Sequence, residues 1–234
     1  MMKKYIAAIL VLALLVSLAA CGGKETRTTE PAETAGKSET AAPVNTDDMS
    51  AESVSATDGK KILTVYFSSA NTANVDAVSS ATPDFNGVAS TELLATYIHE
   101  VVGGDIVKIT PVKDYPEDYN GTADVAKAER DADERPAYLP LDFDPEDYDV
   151  IFVGYPMWWY TLPMVMYTFF DDYDLSGKTI IPFNTHAGSG DGGTYDEIAA
   201  FEPDATVLDG LAVSGSRVEN ARGDVADWLS GLGF

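Results

Sequence analysis

The sequence predicts an α/β domain in which helices cover both faces of a parallel sheet. Five short apolar runs recur between residues 61 and 213, separated by stretches compatible with helices. The runs are rich in Val, Ile, Leu and Phe throughout rather than alternating, as strands buried on both faces must be. Amphipathic spacing between them has the helical period, and a strand–helix alternation of this kind builds a parallel sheet.

Taken in order, Lys61–Phe67 (KILTVYF) is the first strand. Ser68 to Val88 follows without any apolar period, and its Asn, Ser, Pro and Gly content predicts a long loop. Leu93, Leu94, Tyr97, Ile98, Val101 and Val102 then recur at helical spacing, and Gly103-Gly104 ends the helix. Asp105–Thr110 is the second strand. Residues 121–135 are polar and helix-prone, stopped by Pro136. Asp149–Val153 is the third strand, and Pro163 opens a helix running to Phe170. Lys178–Phe183 is the fourth strand, followed by a glycine-rich loop and a short helix over Tyr195–Phe201. Ala205–Val213 is the fifth, with a break expected at Asp209-Gly210. Val218–Leu232 closes as a helix with Val225, Trp228 and Leu229 on one face. Ligands of open α/β sheets bind beyond the carboxyl ends of the strands. The loops of interest are therefore Ser68–Thr91, Gly154–Tyr160 and Asn184–Gly193.

The N-terminus is not part of this fold. Lys3 and Lys4 precede an apolar stretch from Tyr5 to Leu18, shorter than the roughly 20 residues a spanning helix needs. It has the form of a signal peptide over residues 1–20. Leu18-Ala19-Ala20-Cys21 resembles the bacterial lipoprotein signal, which implies lipidation of Cys21 and an extracytoplasmic domain anchored to the cell membrane. Cys21 is the only cysteine, so no disulfide, thiolate metal site or redox thiol is expected elsewhere. From there to residue 60 the chain is rich in Thr, Glu, Ala and Ser and has no aromatic residue. Such a composition predicts a disordered acidic tether with a span of roughly 30–40 Å. The folded domain is expected at 61–234.

Fifteen basic and 38 acidic residues give a net charge of −23. This excludes nucleic acid as a partner and leaves the lipid, not surface charge, to hold the domain at the membrane. A protein partner would present a basic face.

The third strand leads into GYPMWWYTLP, an odd exit. Loops lie on surfaces and rarely expose two indoles and a phenol without something to lie against. The fourth leads into THAGSGDGG, which contains the spacing Gly188-x-Gly190-x-x-Gly193. A dinucleotide fingerprint belongs after the first strand of a βαβ unit, so that meaning is rejected here. The two histidines do not form a catalytic pair. His99 is expected on the solvated side of its helix and His186 on a solvent-facing loop. Asp171-Asp172-Tyr173-Asp174 and the acids from Asp142 to Asp149 are expected to be solvated rather than metal-binding.

Together, TVYFSS, VASTELLATYI, PVKDYPEDY, DVIFVGYPMWWYTLPMVMYTFF and GKTIIPFNTHAGSG resemble a flavodoxin, close to the longer flavodoxin-like lipoproteins of bacteria. The resemblance runs from Ile62 to the C-terminus. It implies a doubly wound five-stranded parallel sheet of order 2-1-3-4-5, FMN as cofactor and electron transfer as function. It places the phosphate on backbone N–H groups and hydroxyls at a helix start, which suits an acidic protein because the helix dipole supplies the field. Ser90 and Thr91, assisted by Ser68, are the preferred residues, and Ser68–Thr72 is the alternative. Family members carry Gly-Asn-Thr where this chain has Ala89-Ser90-Thr91. The resemblance also implies that Pro156, Met157, Trp158, Trp159 and Tyr160 border the flavin, with either Trp158 or Trp159 stacked on its ring and the other in the core. Thr185, Gly188, Ser189 and Gly190 would approach the ring's polar edge. Two other functions share the fold: an FMN-dependent quinone-type reductase, and a binding module without flavin.

Overall fold

A computed structural model describes residues 59–69 and 88–234. The signal peptide, Cys21, the tether and Asn71–Thr72 lie outside the described residues. Six strands form one parallel sheet: β1 (Ile62–Phe67), β2 (Asp105–Ile109), β3 (Val150–Pro156), β4 (Thr179–His186), β5 (Thr206–Val207) and β6 (Leu211–Ser214). Among the described residues five α-helices alternate with them: α1 (Ser90–Val102), α2 (Tyr119–Ala132), α3 (Met164–Asp172), α4 (Thr194–Phe201) and α5 (Arg222–Leu232). The order is β2-β1-β3-β4-β5, with β6 also beside β4. Every pairing is parallel, in a register that matches Val65 with Val107 and Val153, and Val153 with Pro182. This is the doubly wound flavodoxin-like arrangement expected from the sequence.

Alternate residues of the central strands feed two cores. Leu63, Val65 and Phe67 of β1, with Ile151, Val153 and Tyr155 of β3, pack against α3, Ala126 of α2 and Ile198 of α4. Ile62 and Tyr66, with Val150, Phe152, Ile181 and Phe183, pack against Leu94 and Ile98 of α1 and Val225 and Leu229 of α5. Each fully buried aliphatic or Phe side chain contributes about 1.5–3 kcal/mol, so both faces of β1 and β3 are held firmly. Gly154 lies directly opposite Phe183 in the ladder, and a Cβ there would sit 2.1 Å from the Phe183 ring. The glycine leaves room for that ring and lets β3 run three residues beyond the expected Val153.

The fifth strand position is split, as Asp209-Gly210 suggested. Thr206 and Leu208 donate their N–H groups to the carbonyls of Lys178 and Ile180. In a parallel ladder Pro182, two residues past Ile180, faces the same neighbour, and it has no N–H to offer. The strand is interrupted at that level. A Cβ on Gly210 would lie 2.5 Å from both the Pro182 carbonyl oxygen and the Tyr195 ring, so only glycine fits. Pairing resumes when Leu211 comes opposite Phe183.

Two helices start earlier than their apolar pattern suggested. Asp118 caps α2, accepting from the Gly121 N–H at 2.8 Å, and the helix ends at left-handed Asp133 rather than at Pro136. α1 begins at Ser90 with Ala89 at the cap position. Among the described residues no helix is long and apolar enough to cross a membrane.

Candidate functional site

The three loops expected to matter leave the same end of the sheet, because all the strands run in one direction. Those after β3 and β4 are continuous with their ladder: Pro156 pairs with Thr185, and the Met157 N–H donates to the Thr185 carbonyl at 2.8 Å. Pro156, Asn184, Thr185 and His186 are therefore strand residues, and the loops proper begin at Met157 and Ala187.

The chain turns back at once after Met157. Trp158 and Thr161 exchange backbone hydrogen bonds of 3.0 and 3.1 Å, leaving Trp159 and Tyr160 as the two central residues of the turn. Their φ angles are +52° and +66°. Positive φ at both positions is the type I′ geometry, normally left to Asn and Gly. Bulky residues there cost on the order of 1–3 kcal/mol each, so the surroundings must enforce the conformation. They do so through α2. The Trp159 indole Nε1 donates to the Ala123 carbonyl at 2.9 Å. Arg130 Nη1 donates to the Trp159 carbonyl at 3.3 Å, and the same guanidinium lies 5.5 Å from the Trp159 ring centroid.

The two tryptophans differ in their surroundings. Trp158 is buried, edge-on to Phe67 and Tyr115 with centroids 5.3 and 4.8 Å away. It is a core residue and does not border the cavity described below. Its Nε1 has no hydrogen-bond partner among the described residues. Trp159 is half-buried against the edge of the same core, and Tyr160 beside it is 75% exposed.

Against this turn lies a cavity of about 430 Å³, lined by Tyr119, Met157, Trp159, Tyr160, Ala187, Gly188 and Ser189. Its volume lies within the usual range for small-molecule sites. Three aromatic side chains and a glycine-containing backbone suit a flat ring with a polar edge. None of the lining residues carries an ionisable carboxylate, imidazole or amine. Tyr119 was not singled out in the sequence; its signal is an aromatic residue immediately after the Asp118 cap. Ala187 offers only backbone and has no sequence signature.

The loop after β4 is fixed by buried polar groups beneath it. Asn184 is fully buried; its Nδ2 donates to the Gly190 carbonyl at 3.0 Å, and its Oδ1 accepts from the Tyr195 hydroxyl at 2.6 Å. Gly190 itself has φ +63°, which a side chain would resist. Tyr155 donates to Thr194 Oγ1 at 2.7 Å, and Thr194 donates to the Asp191 carbonyl at 2.6 Å. His186 is half-buried rather than solvent-facing, and its Nδ1 accepts from the Gly188 N–H at 2.9 Å. Burial lowers its pKa below the usual value, against an opposing effect of Asp191. The neutral ring with the proton on Nε2 is the form that this bond requires. His99 is likewise half-buried in α1, not on a solvated side.

The N-terminus of α1 lies within reach of the same strand end. Ser90 and Thr91 are buried, and the Thr91 and Thr185 hydroxyls are 2.7 Å apart in a hydrogen bond. Ser90 is the first helical residue, not the cap. Ala89 occupies the cap with φ −73° and ψ 157°, a conformation open to any residue, so the backbone makes no demand for the family's glycine there. The Ala89 side chain makes no capping hydrogen bond. Ser68 is also buried, but it borders a separate cavity with Ser69, Lys108 and Tyr115. The structure thus links Ser90–Thr91 to Thr185, places Trp159 and Tyr160 with Gly188 and Ser189, and leaves Ser68, Pro156 and Gly190 outside the lining of the 430 Å³ cavity.

The acidic end of α3 is spoken for: Asp171 pairs with Arg135 at 2.5 Å, and Asp172 accepts from the Tyr138 hydroxyl at 2.9 Å. Among the described residues no group of three or more metal-ligating side chains comes together.

The family model for flavodoxins matches residues 61–232. A candidate flavoprotein from Bacteroides uniformis ATCC 8492 is 27% identical, with a TM-score of 0.58 over 73% of this chain and 98% of its own. A second, from Bacteroides eggerthii DSM 20697, is 28% identical with a TM-score of 0.52, covering 71% of this chain and 98% of that one. A Lactobacillus acidophilus NCFM flavoprotein, solved in complex with FMN, shares the fold at 21% identity and a TM-score of 0.51, over 69% of this chain and 97% of its own. No curated protein is a significant match.

Proposed function

The chain belongs to the flavodoxin family, and from that premise we propose that it is an FMN-dependent electron carrier, held outside the cytoplasmic membrane by a lipidated Cys21. The observation that carries the proposal is the cavity between the turn at Trp159-Tyr160 and the loop at Ala187–Ser189. Its residues fit the cofactor. The half-buried indole of Trp159, which borders the cavity, supplies a flat surface for an isoalloxazine, and the backbone of Ala187–Ser189 supplies polar groups for its edge. Ser90 and Thr91 would hold the phosphate in the field of the α1 N-terminus, which favours an anion without a nearby Lys or Arg. The Thr91–Thr185 hydrogen bond ties that helix start to the strand that carries the ring-side loop.

Bound FMN would supply the redox chemistry itself, and the protein's part is to bind, orient and shield it. The strained turn holds Trp159 in place before any ring arrives, and Asn184 and His186 set the backbone of the opposite wall. The described cavity lining holds no carboxylate, imidazole or amine, only the Tyr119 and Tyr160 phenols as titratable groups, and this supports a carrier over a reductase that relies on such a group to move a proton to its substrate. The net charge of −23 favours a redox partner with a basic face. Leu18-Ala19-Ala20-Cys21 supports the lipid anchor.

The test is to purify the full chain with added FMN, desalt it and record its absorbance. One flavin retained per chain is the expected result. A desalted protein without visible absorption, from a folded sample, would remove the cofactor and with it the carrier role.

A further inference from the structure

One stripe of α2 holds the aromatic turn. Tyr119 lines the cavity, Ala123 accepts the Trp159 indole N–H, and Arg130 reaches the Trp159 carbonyl. Positions 119, 123 and 130 share a helix face, so α2 forms one wall of the site. Arg130 is the notable member. It contacts Trp159 twice, through the 3.3 Å hydrogen bond to its carbonyl and by lying 5.5 Å from its ring centroid. The first contact sits on a residue with φ +52°, where an anchor is needed to keep the strained backbone in place. The second places a permanent cation against an indole that also borders the cavity, in a protein of net charge −23. Arg130 itself does not border the cavity. Its carboxylate neighbour is Asp131, 2.8 Å from Nη2, and both side chains are partly exposed, which weakens but does not abolish the field at the ring.

We propose that Arg130 is a positioning residue for Trp159 and that its charge, acting across the indole, favours the reduced, more negative form of a flavin stacked there. The proposal rests on the FMN assignment above. It makes Arg130 a local counterweight to the acidic surface, which opposes adding electrons. Arg is suited to the task because its planar fork can bond a carbonyl and cover an aromatic face at once, whereas an ammonium on a flexible stem fits only the charge requirement.

The test compares Arg130→Gln and Arg130→Lys with the wild type in the full chain. Affinity for oxidised FMN is measured directly, and affinity for reduced FMN follows from that value and the midpoint potentials of bound and free FMN. In Arg130→Gln the preference for reduced over oxidised FMN should fall about threefold to tenfold, the scale of one partly screened charge at stacking distance. Arg130→Lys should recover that preference while binding both forms less well, because it keeps the charge and loses the fork. Equal losses of both forms in Arg130→Gln, or no loss of either, would overturn the electrostatic role. The positioning role has its own readout without cofactor: quenching of tryptophan emission by acrylamide, which is uncharged, should increase in Arg130→Gln, and that increase should vanish in a Trp159→Phe background. An unchanged quenching profile would refute it. A wild type that binds no FMN but shows the expected quenching change would sink the FMN assignment and leave Arg130's grip on the turn standing.

Discussion

Replacing each tryptophan of the β3 exit by alanine should separate binding from stability. Trp158 is 2% exposed and wedged between Phe67 and Tyr115, so Trp158→Ala opens a core cavity worth about 3–5 kcal/mol. For a domain of this size that lowers Tm by roughly 6–20 °C. Because the Trp158 Nε1 has no partner among the described residues, Trp158→Phe discards an unsatisfied N–H along with part of the ring. Removing such a group recovers about 1–3 kcal/mol, so Phe should be far milder than Ala. Trp159→Ala removes one hydrogen bond, to Ala123, worth about 0.5–1.5 kcal/mol, together with the packing of a half-buried ring against the edge of the core, so its stability cost should be smaller than that of Trp158→Ala. Its main effect should fall on the ligand. Loss of a stacked ring and its buried area weakens FMN by about 1–3 kcal/mol, or roughly 5- to 150-fold in Kd. An indole in contact with flavin quenches its emission by electron transfer, so bound FMN should be nearly dark in the wild type and in Trp158→Phe, and bright in Trp159→Ala. Fluorescence titration with FMN and a thermal melt of the cofactor-free protein read both effects. Recovery of emission in the Trp158 variants alone would reverse the assignment. Unchanged emission and affinity in all three would mean that neither indole meets the flavin.

Ser90→Ala with Thr91→Ala should weaken FMN far more than riboflavin, which lacks the phosphate; equal losses would move the phosphate towards Ser68 and its neighbours. Protonation of His186 turns Nδ1 into a donor and breaks its bond from the Gly188 N–H. Since burial lowers its pKa below the usual 6.5, this bond is intact at neutral pH and is lost as pH falls through the lowered value. FMN affinity should therefore drop on acidification below that value, and His186→Phe should show a weaker site without that pH dependence; an identical pH profile in the variant would exclude His186. Cys21→Ser should give an unprocessed precursor or a domain released from the membrane, as judged by fractionation. A variant that is processed and still firmly bound would defeat the lipid anchor.

The sheet was legible because burial on both faces leaves an uninterrupted apolar signature, as in Val150–Val153 and Ile180–Ile181. Its ends were not. Gly154-Tyr155-Pro156 has the composition of a loop, yet pairing with β4 carries it as strand, an effect of a distant neighbour rather than of local propensity. The broken fifth strand was legible from Asp209-Gly210, although its cause, Pro182, lies on another strand. At the site, the aromatic turn and the glycine loop announced themselves by composition. Which of Trp158 and Trp159 is buried in the core and which borders the cavity did not, because that depends on two consecutive left-handed residues that no propensity assigns to Trp and Tyr. Tyr119 and Arg130 stayed hidden for a related reason: they belong to a polar helix, and only the packing of α2 against the turn gives them a role.

The interruption beside Pro182 also bears on how copies of this protein behave when crowded. An edge strand exposes a ladder of unpaired amides onto which a second chain can add its own. Here that edge is divided into pieces of two and four residues, β5 and β6, separated by a stretch where the Trp228 indole already donates to the Asp209 carbonyl at 3.1 Å. Neither piece is long enough to template a stable intermolecular strand. An edge cut short in this way guards against aggregation when copies are concentrated.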